Sequence, residues 1–337
     1  MYDPGALQVF DPILTNFSVG FQDQNLYGER LFPVTRVNTR NGVYRVFDRS
    51  NWLMFRDHRA PGTVANEVSG RVWSQDTFQV KEHSLQAPVY DEENEELNAL
   101  GGIGQPNLGG AISIQPETDA VNLITRSIML GFEQAVANTI RNAANYAANH
   151  KVTLSGTSQW SDYSGTSDPV SDLRTAMRRV YLDTRQWPNT MIIPFDAVGV
   201  IENNPKVVAR YTYTSVFDPN AWKQILGLPA GVADNLNVFV VDSMYNSADN
   251  LDVAPTMTGF WGQDVWVGVV NPGDGQNIQT FGKAFARPYP NGDIRPTDRW
   301  REEARKTDVV RVSYRYDLKI VNSLAGYLIK SAVAAIP

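Results

Sequence analysis

The hydrophobic and polar residues of 40–55 and 72–88 read as two long strands of an extended two-stranded pattern. At about 3.3 Å per residue, arms of about 16 residues reach roughly 50 Å. A lone two-stranded ribbon is marginal in water unless something covers it. Another copy of the same chain is the expected cover, so assembly, not catalysis, is the first expectation. The distal part, residues 57–70, carries Ala60-Pro61-Gly62 and few large apolar side chains, and reads as a mobile tip.

The period then changes. Val121, Ile124, Ile128, Phe132, Val136, Ile140, Ala143 and Ala147 recur at helical spacing and predict one apolar stripe on a helix over residues 116–149. Pro116 suits the first turn, and Glu117 and Asp119 lie where the helix dipole favours acids. About 33 residues at 1.5 Å each span roughly 50 Å, a spine on which other elements can lie. Asp168-Pro169 caps and opens a second helix whose apolar face is Val170, Leu173, Met177, Val180 and Tyr181. Short apolar runs at 190–193, 238–241 and 265–270, with a short helix at 195–202 between them, predict buried strands of a small α/β unit. Last, Val310, Val312, Tyr314, Tyr316, Leu318 and Ile320 alternate with polar residues. They predict a long strand that returns to pair beside the spine helix.

Composition narrows the function. The 337 residues carry a formal net charge of −6, a poor balance for a dedicated nucleic-acid binder, which needs concentrated positive charge. There is no cysteine, which excludes disulfides, thiolate metal sites and a cysteine nucleophile. No apolar run reaches the length of a membrane span, and the first residues lack the blocks of a signal peptide, so assembly in a cytoplasm is expected. His58, His83 and His150 stand far apart, without metal-ligand spacing, and read as surface or hairpin residues. The glycines at 101–110 form a linker, not a dinucleotide fingerprint, because Pro106 intervenes and an acidic block, residues 91–96, precedes them. That block reads as a solvated helix start, and the arginines of 295–305, interleaved with Asp298, Glu302 and Glu303, as an ion-paired interface. No phosphate loop and no nucleophile elbow occurs. Neither an enzyme nor a cofactor or metal site is expected.

The order of these parts resembles the major capsid proteins of tailed bacteriophages, from about residue 15 to 333. The segment from Asn25 through Tyr27-Gly28-Glu29-Arg30-Leu31-Phe32-Pro33 is similar to the arm that leads into an extended hairpin. Asp168-Pro169 with Asp172-Leu173 resembles the opening of an axial helix, and Pro188-Asn189 before an apolar strand is similar too. Gly259-Phe260-Trp261-Gly262 leading to Trp266 resembles the strand pair before the peripheral return. Tyr327-Leu328-Ile329-Lys330 resembles the end of the terminal peripheral strand.

The resemblance implies an α+β, Hong Kong 97-like capsid fold. Its parts would be an N-terminal arm (1–39), an extended β-hairpin loop (40–88), a peripheral domain with the spine helix (89–151), an axial α/β domain (152–290) and returning peripheral strands (291–337). It implies self-assembly into hexamers and pentamers of an icosahedral head around double-stranded DNA. It also implies portal, scaffolding and decoration proteins as partners, DNA touched weakly at the inner face, no membrane, and the virion as destination. The large side chains of arm and ribbon, Phe17, Phe21, Trp52, Phe55, Arg59, Trp73 and Phe78, are the candidate inter-subunit contacts. An encapsulin-like nanocompartment shell, with a shorter arm and enzyme cargo, is the nearest alternative. A carbohydrate-binding or carbohydrate-acting protein is a remote one, suggested by 8 Trp and 14 Tyr and opposed by their dispersal along the chain.

Overall fold

The computed structural model describes residues 11–20, 23, 25–46, 54, 58, 59, 61, 62, 64, 65, 74–92, 116–211, 226–248, 254, 256–273 and 279–334. In the first half these form α1 (Pro12–Gly20), α2 (Gly28–Leu31), β1 (Val34–Arg36), β2 (Asn41–Val46), β3 (Ser74–Gln79), β4 (Lys81–Tyr90) and the spine α3 (Pro116–Arg141). Then come β5 (Lys151–Thr153), α4 (Pro169–Thr184), β6 (Thr190–Pro194), α5 (Phe195–Glu202), α6 (Pro205–Tyr211), α7 (Ala230–Asp234) and β7 (Asn237–Val241). The chain continues through β8 (Met244–Asn246), β9 (Met257–Gly259), β10 (Val265–Gly268), β11 (Gly282–Ala286), β12 (Thr297–Glu302), β13 (Thr307–Ile320) and β14 (Gly326–Lys330).

Two mixed sheets carry the fold. In the first, β13 is antiparallel to β4 over Thr307–Tyr316, to β12 at one end and to β11 at the other, with β1 parallel beyond β11. The second runs β5-β14-β10-β6-β7, parallel at its two margins and antiparallel in the middle. The crossovers that follow β10 and β13 bond to each other: Val269 N–H donates to Ala325 O, and Val321 N–H donates to Phe281 O. The Phe281 ring fills this junction. It stacks on Tyr146 at 5.2 Å and meets Trp266 and Phe32 edge-on at 5.3 and 6.2 Å. One continuous apolar core therefore runs through both sheets.

The predicted spine stripe is real. Val121, Ile124, Ile128, Phe132, Val136 and Ile140 are buried, and α3 lies on β13, as expected, with the Phe132 ring 4.9 Å from Tyr316 and 5.8 Å from Tyr314. The helix nevertheless stops at Arg141 and does not run to Asn149. Asn142 caps the next turn, its side chain accepting from Ala144 N–H. Asn145 Nδ2 and the Tyr146 hydroxyl donate to the Thr139 and Ile140 carbonyls, so side chains satisfy the terminal acceptors and the helix can end. The second helix begins as predicted, with Asp168 accepting from Ser171 N–H at 3.0 Å and Pro169 in the first turn.

Two pairings differ from expectation. The second strand of the ribbon is divided at Val80: β3 pairs with β2, but β4 leaves the ribbon and bonds ten residues to β13. Residues 326–330 do not extend the first sheet. They cross at 321–325 and lie between β10 and β5 in the second, where four of the five are buried, as a strand covered on both faces requires. The linker at 101–110 lies outside the described residues.

Phe132 is fully buried at the centre of the spine contact. Phe132→Ala should lower the unfolding free energy of the free subunit by about 3–5 kcal/mol, read as an earlier urea midpoint. An unchanged midpoint would contradict this placement of the core.

Candidate assembly surface

The ribbon has a built root. Phe78 stacks on Phe285 at 4.7 Å, Tyr44 meets the same ring at 5.3 Å, and Val80 and Val321 close a small core separate from the main one. The ring of Phe78 lies over Gly42, its cross-strand partner; a Cβ there would sit 2.4 Å from the ring, so this position needs glycine. The Tyr44 hydroxyl lies 2.8 Å from Asp76 Oδ2 and 3.2 Å from the Ile320 carbonyl, and Gln79 N–H donates to Asp317 Oδ2 at 2.8 Å. The Thr77 N–H, with help from Tyr44, holds the Asp76 carboxyl below its usual range, while burial pushes the Tyr44 phenol up. The subunit itself thus fixes the direction in which its ribbon leaves. Farther out, residues 54, 58, 59, 61, 62, 64 and 65 are all exposed, Met54 at 95 %.

Of the seven candidate contacts, Arg59 is exposed and Phe78 is only 6 % exposed, spent inside its own chain at the ribbon root. Phe21, Trp52, Phe55 and Trp73 lie outside the described residues, as does the side chain of Phe17, whose backbone is in α1. An ion-paired interface is expected at 295–305; the structure shows its arginines paired inside one subunit. Arg295 bonds Glu29, Arg299 bonds Glu117 and Asp308, and Arg301 bonds Asp91, which ties β12 to the arm, to the spine and to the end of β4.

The three histidines are not alike. His58 is exposed and His83 stacks on Tyr316 at 4.3 Å, but His150, expected at the surface, is fully buried. Its Nε2 lies 2.6 Å from Asp183 Oδ2 and its Nδ1 3.1 Å from the Gly326 carbonyl. Both ring nitrogens thus lie within hydrogen-bond distance of an oxygen. It links the end of α4 to β14.

Sequence reasoning also missed Glu133, 1 % exposed on α3. Its Oε2 accepts from Tyr27 N–H at 3.0 Å and Gly28 N–H at 2.5 Å, and its Oε1 accepts from Trp261 Nε1 at 3.0 Å. Burial raises this carboxyl to about 7, against the pull of the Gly28, Trp261, Tyr27 and Ser243 donors. The available signal was its position, four residues from both Met129 and Ala137 on the buried flank of the helix.

No protein-family profile matches the chain. It is, however, 25 % identical over 332 residues to the major capsid protein of Burkholderia phage BcepMu, covering 96 % of each chain. The chain is homologous to a phage major capsid protein. A crystal structure of a phage-related protein from Bordetella bronchiseptica shares the fold of this capsid homologue, with a TM-score of 0.73 at 23 % identity over 96 % of this chain and 98 % of that one. The SrpI encapsulin of Synechococcus elongatus shares the fold more distantly, with a TM-score of 0.51 at 11 % identity over 92 % and 89 %. The mixed helix-and-sheet architecture is therefore that of shell proteins, and the sequence relationship runs to the phage side. Among the described tryptophans none contributes to a glycan platform: Trp160, Trp261 and Trp266 are buried, and Trp187 and Trp300 are half-buried in separate places.

The root makes a mutational prediction. Gly42→Val should displace the Phe78 ring and cost about 1–3 kcal/mol by overpacking. Near-UV circular dichroism should lose aromatic signal while far-UV helicity is retained. A variant with both spectra unchanged would mean that the ring does not need the space above Gly42.

Proposed function

We propose that this chain is the major shell subunit of a tailed-phage head, assembling as hexamers and pentamers into an icosahedral container for double-stranded DNA. The observation that carries the reading is homology to a phage major capsid protein over 96 % of both chains. Capsid homology also favours a structural, non-enzymatic role. The mechanism is burial between copies. The ribbon, oriented by Tyr44, Phe78 and Asp317, reaches over a neighbour, the N-terminal arm lies beneath another, and the second sheet with its helices forms the axial unit that meets its copies around the capsomer. Residues 81–90 and 279–320 then belong with the spine in the peripheral unit, and 326–330 with the axial one. Many modest contacts per subunit become strong together because each is effectively intramolecular once the first has formed.

Portal, scaffolding and decoration proteins are the proposed partners, the host cytoplasm the place of assembly and the virion the destination. Among the described residues no helix is long and apolar enough to cross a membrane. A nanocompartment shell is the second reading, favoured by the encapsulin-like fold and weakened by the phage relationship in sequence. Electron microscopy of purified protein tests the class. Closed shells are expected, and a chain that stays monomeric under all assembly conditions would overturn the proposal.

Deleting residues 57–70 should leave a folded, soluble subunit that cannot close shells, measured by sedimentation and microscopy; normal shells from the deletion would contradict the ribbon's role. A chain of net charge −6 should bind duplex DNA weakly at physiological salt, since tight phosphate contacts would oppose packing and release. Submicromolar binding with a steep salt slope would count against it.

A further inference from the structure

Glu133 stands where three parts of the chain meet. The carboxylate sits on α3, two of its bonds go to the backbone at the start of α2, and the third goes to Trp261, whose indole N–H also reaches Ser243 Oγ; both lie on the segments that flank β8 and β9. The arm comes so close that a Cβ on Gly28 would lie 2.9 Å from Glu133 Oε2 and from the Phe132 ring. The next residues, Leu31 and Phe32, are fully buried, so this is where the arm is fastened to the spine.

The carboxylate has donors but, among the described residues, no counter-charge. Among the described residues the arm offers Asp23, Tyr27, Glu29 and Arg30 nearby, and Asp242 follows β7. Arg30 lies over the Phe239 ring, and Arg295 bonds Glu29 and the Val19 carbonyl. Neither cation pairs with Glu133. A buried charge without a partner is costly, even when hydrogen-bonded. The neutral acid fits the same cradle: Oε2 keeps both arm N–H bonds, and Trp261 Nε1–H can turn to the Ser243 hydroxyl, 3.1 Å away.

We propose that Glu133 is a proton-operated clasp, which holds the arm segment 25–33 against the spine helix when its carboxyl is neutral and loosens it when the carboxyl ionises. The linkage has a definite sign. The docked carboxyl titrates near about 7 and an exposed one near 4.5, so the docked state binds the extra proton between those values. Docking is complete in acid and weakens as pH rises. Opening increases with pH up to about 7 and then levels off.

The test is hydrogen exchange of residues 25–33 in the full-length free subunit from pH 5 to 9, corrected for intrinsic exchange. The wild type should lose protection up to pH about 7 and then hold steady, while Glu133→Gln should show no pH dependence across that range. Trp261→Phe, which removes the Oε1 donor that favours the carboxylate, should move the wild-type midpoint to higher pH. It carries the test if Glu133→Gln does not fold. A flat wild-type profile, an equal slope in Glu133→Gln, or an unmoved midpoint in Trp261→Phe would overturn the clasp.

Discussion

The contact between the spine helix and β13 is the constraint on which the other parts depend. A 26-residue helix with one apolar stripe has to bury that stripe, and helices owe most of their stability in proteins to such packing. The surface it finds is a 14-residue strand that bonds in turn to β4, β11 and β12. The strand therefore positions the ribbon, since β4 continues directly from β3 through Val80 and the root packs on Phe285 of β11 and Val321 just past the strand. It also positions the arm, since β1 pairs with β11 and Glu133 holds Gly28. The roots of the ribbon and of the arm are thus oriented by one internal contact far from them in sequence.

A second consequence is rigidity between the two sheets. The crossovers after β10 and β13 bond to each other around Phe281, and at the far end of the helix Arg141 bonds Asp264 at 2.8 Å and the Phe260 carbonyl at 2.8 Å. A shell needs subunits that present several surfaces at fixed relative angles. A continuous core with charged clamps at its rim supplies this without disulfides, which the absence of cysteine excludes in any case.

Much of this was legible because local chemistry decided it. The apolar stripe of the spine, Pro116 at its start, the cap at Asp168-Pro169 and the alternation of residues 310–320 each imply their element without reference to distant residues. The errors arise where partner choice is long-range. Residues 72–88 read as one strand because an extended pattern is blind to a change of partner at Val80. Tyr327 to Lys330 read as a continuation of the preceding strand because nothing local says which sheet receives them. Ala143 and Ala147 keep helical spacing, so the stripe overran Arg141, although Asn142 and Asn145 were the polar residues that end it. His150 and Glu133 look like surface residues by type. Their burial follows only from the bonds they make across the fold, to Asp183 and Gly326 and to Tyr27, Gly28 and Trp261. Four of the candidate contacts lie outside the described residues, and a fifth, Phe78, proved to orient the ribbon from within.

If the spine and β13 form the unit on which the rest is built, they should be the last parts of the free subunit to open. Native-state hydrogen exchange in increasing denaturant measures this directly. Amides of residues 121–140 and 309–318 should form the slowest class and lose protection together, after those of the ribbon root and the arm. Exchange of 309–318 at low denaturant while 121–140 stay protected would contradict the account.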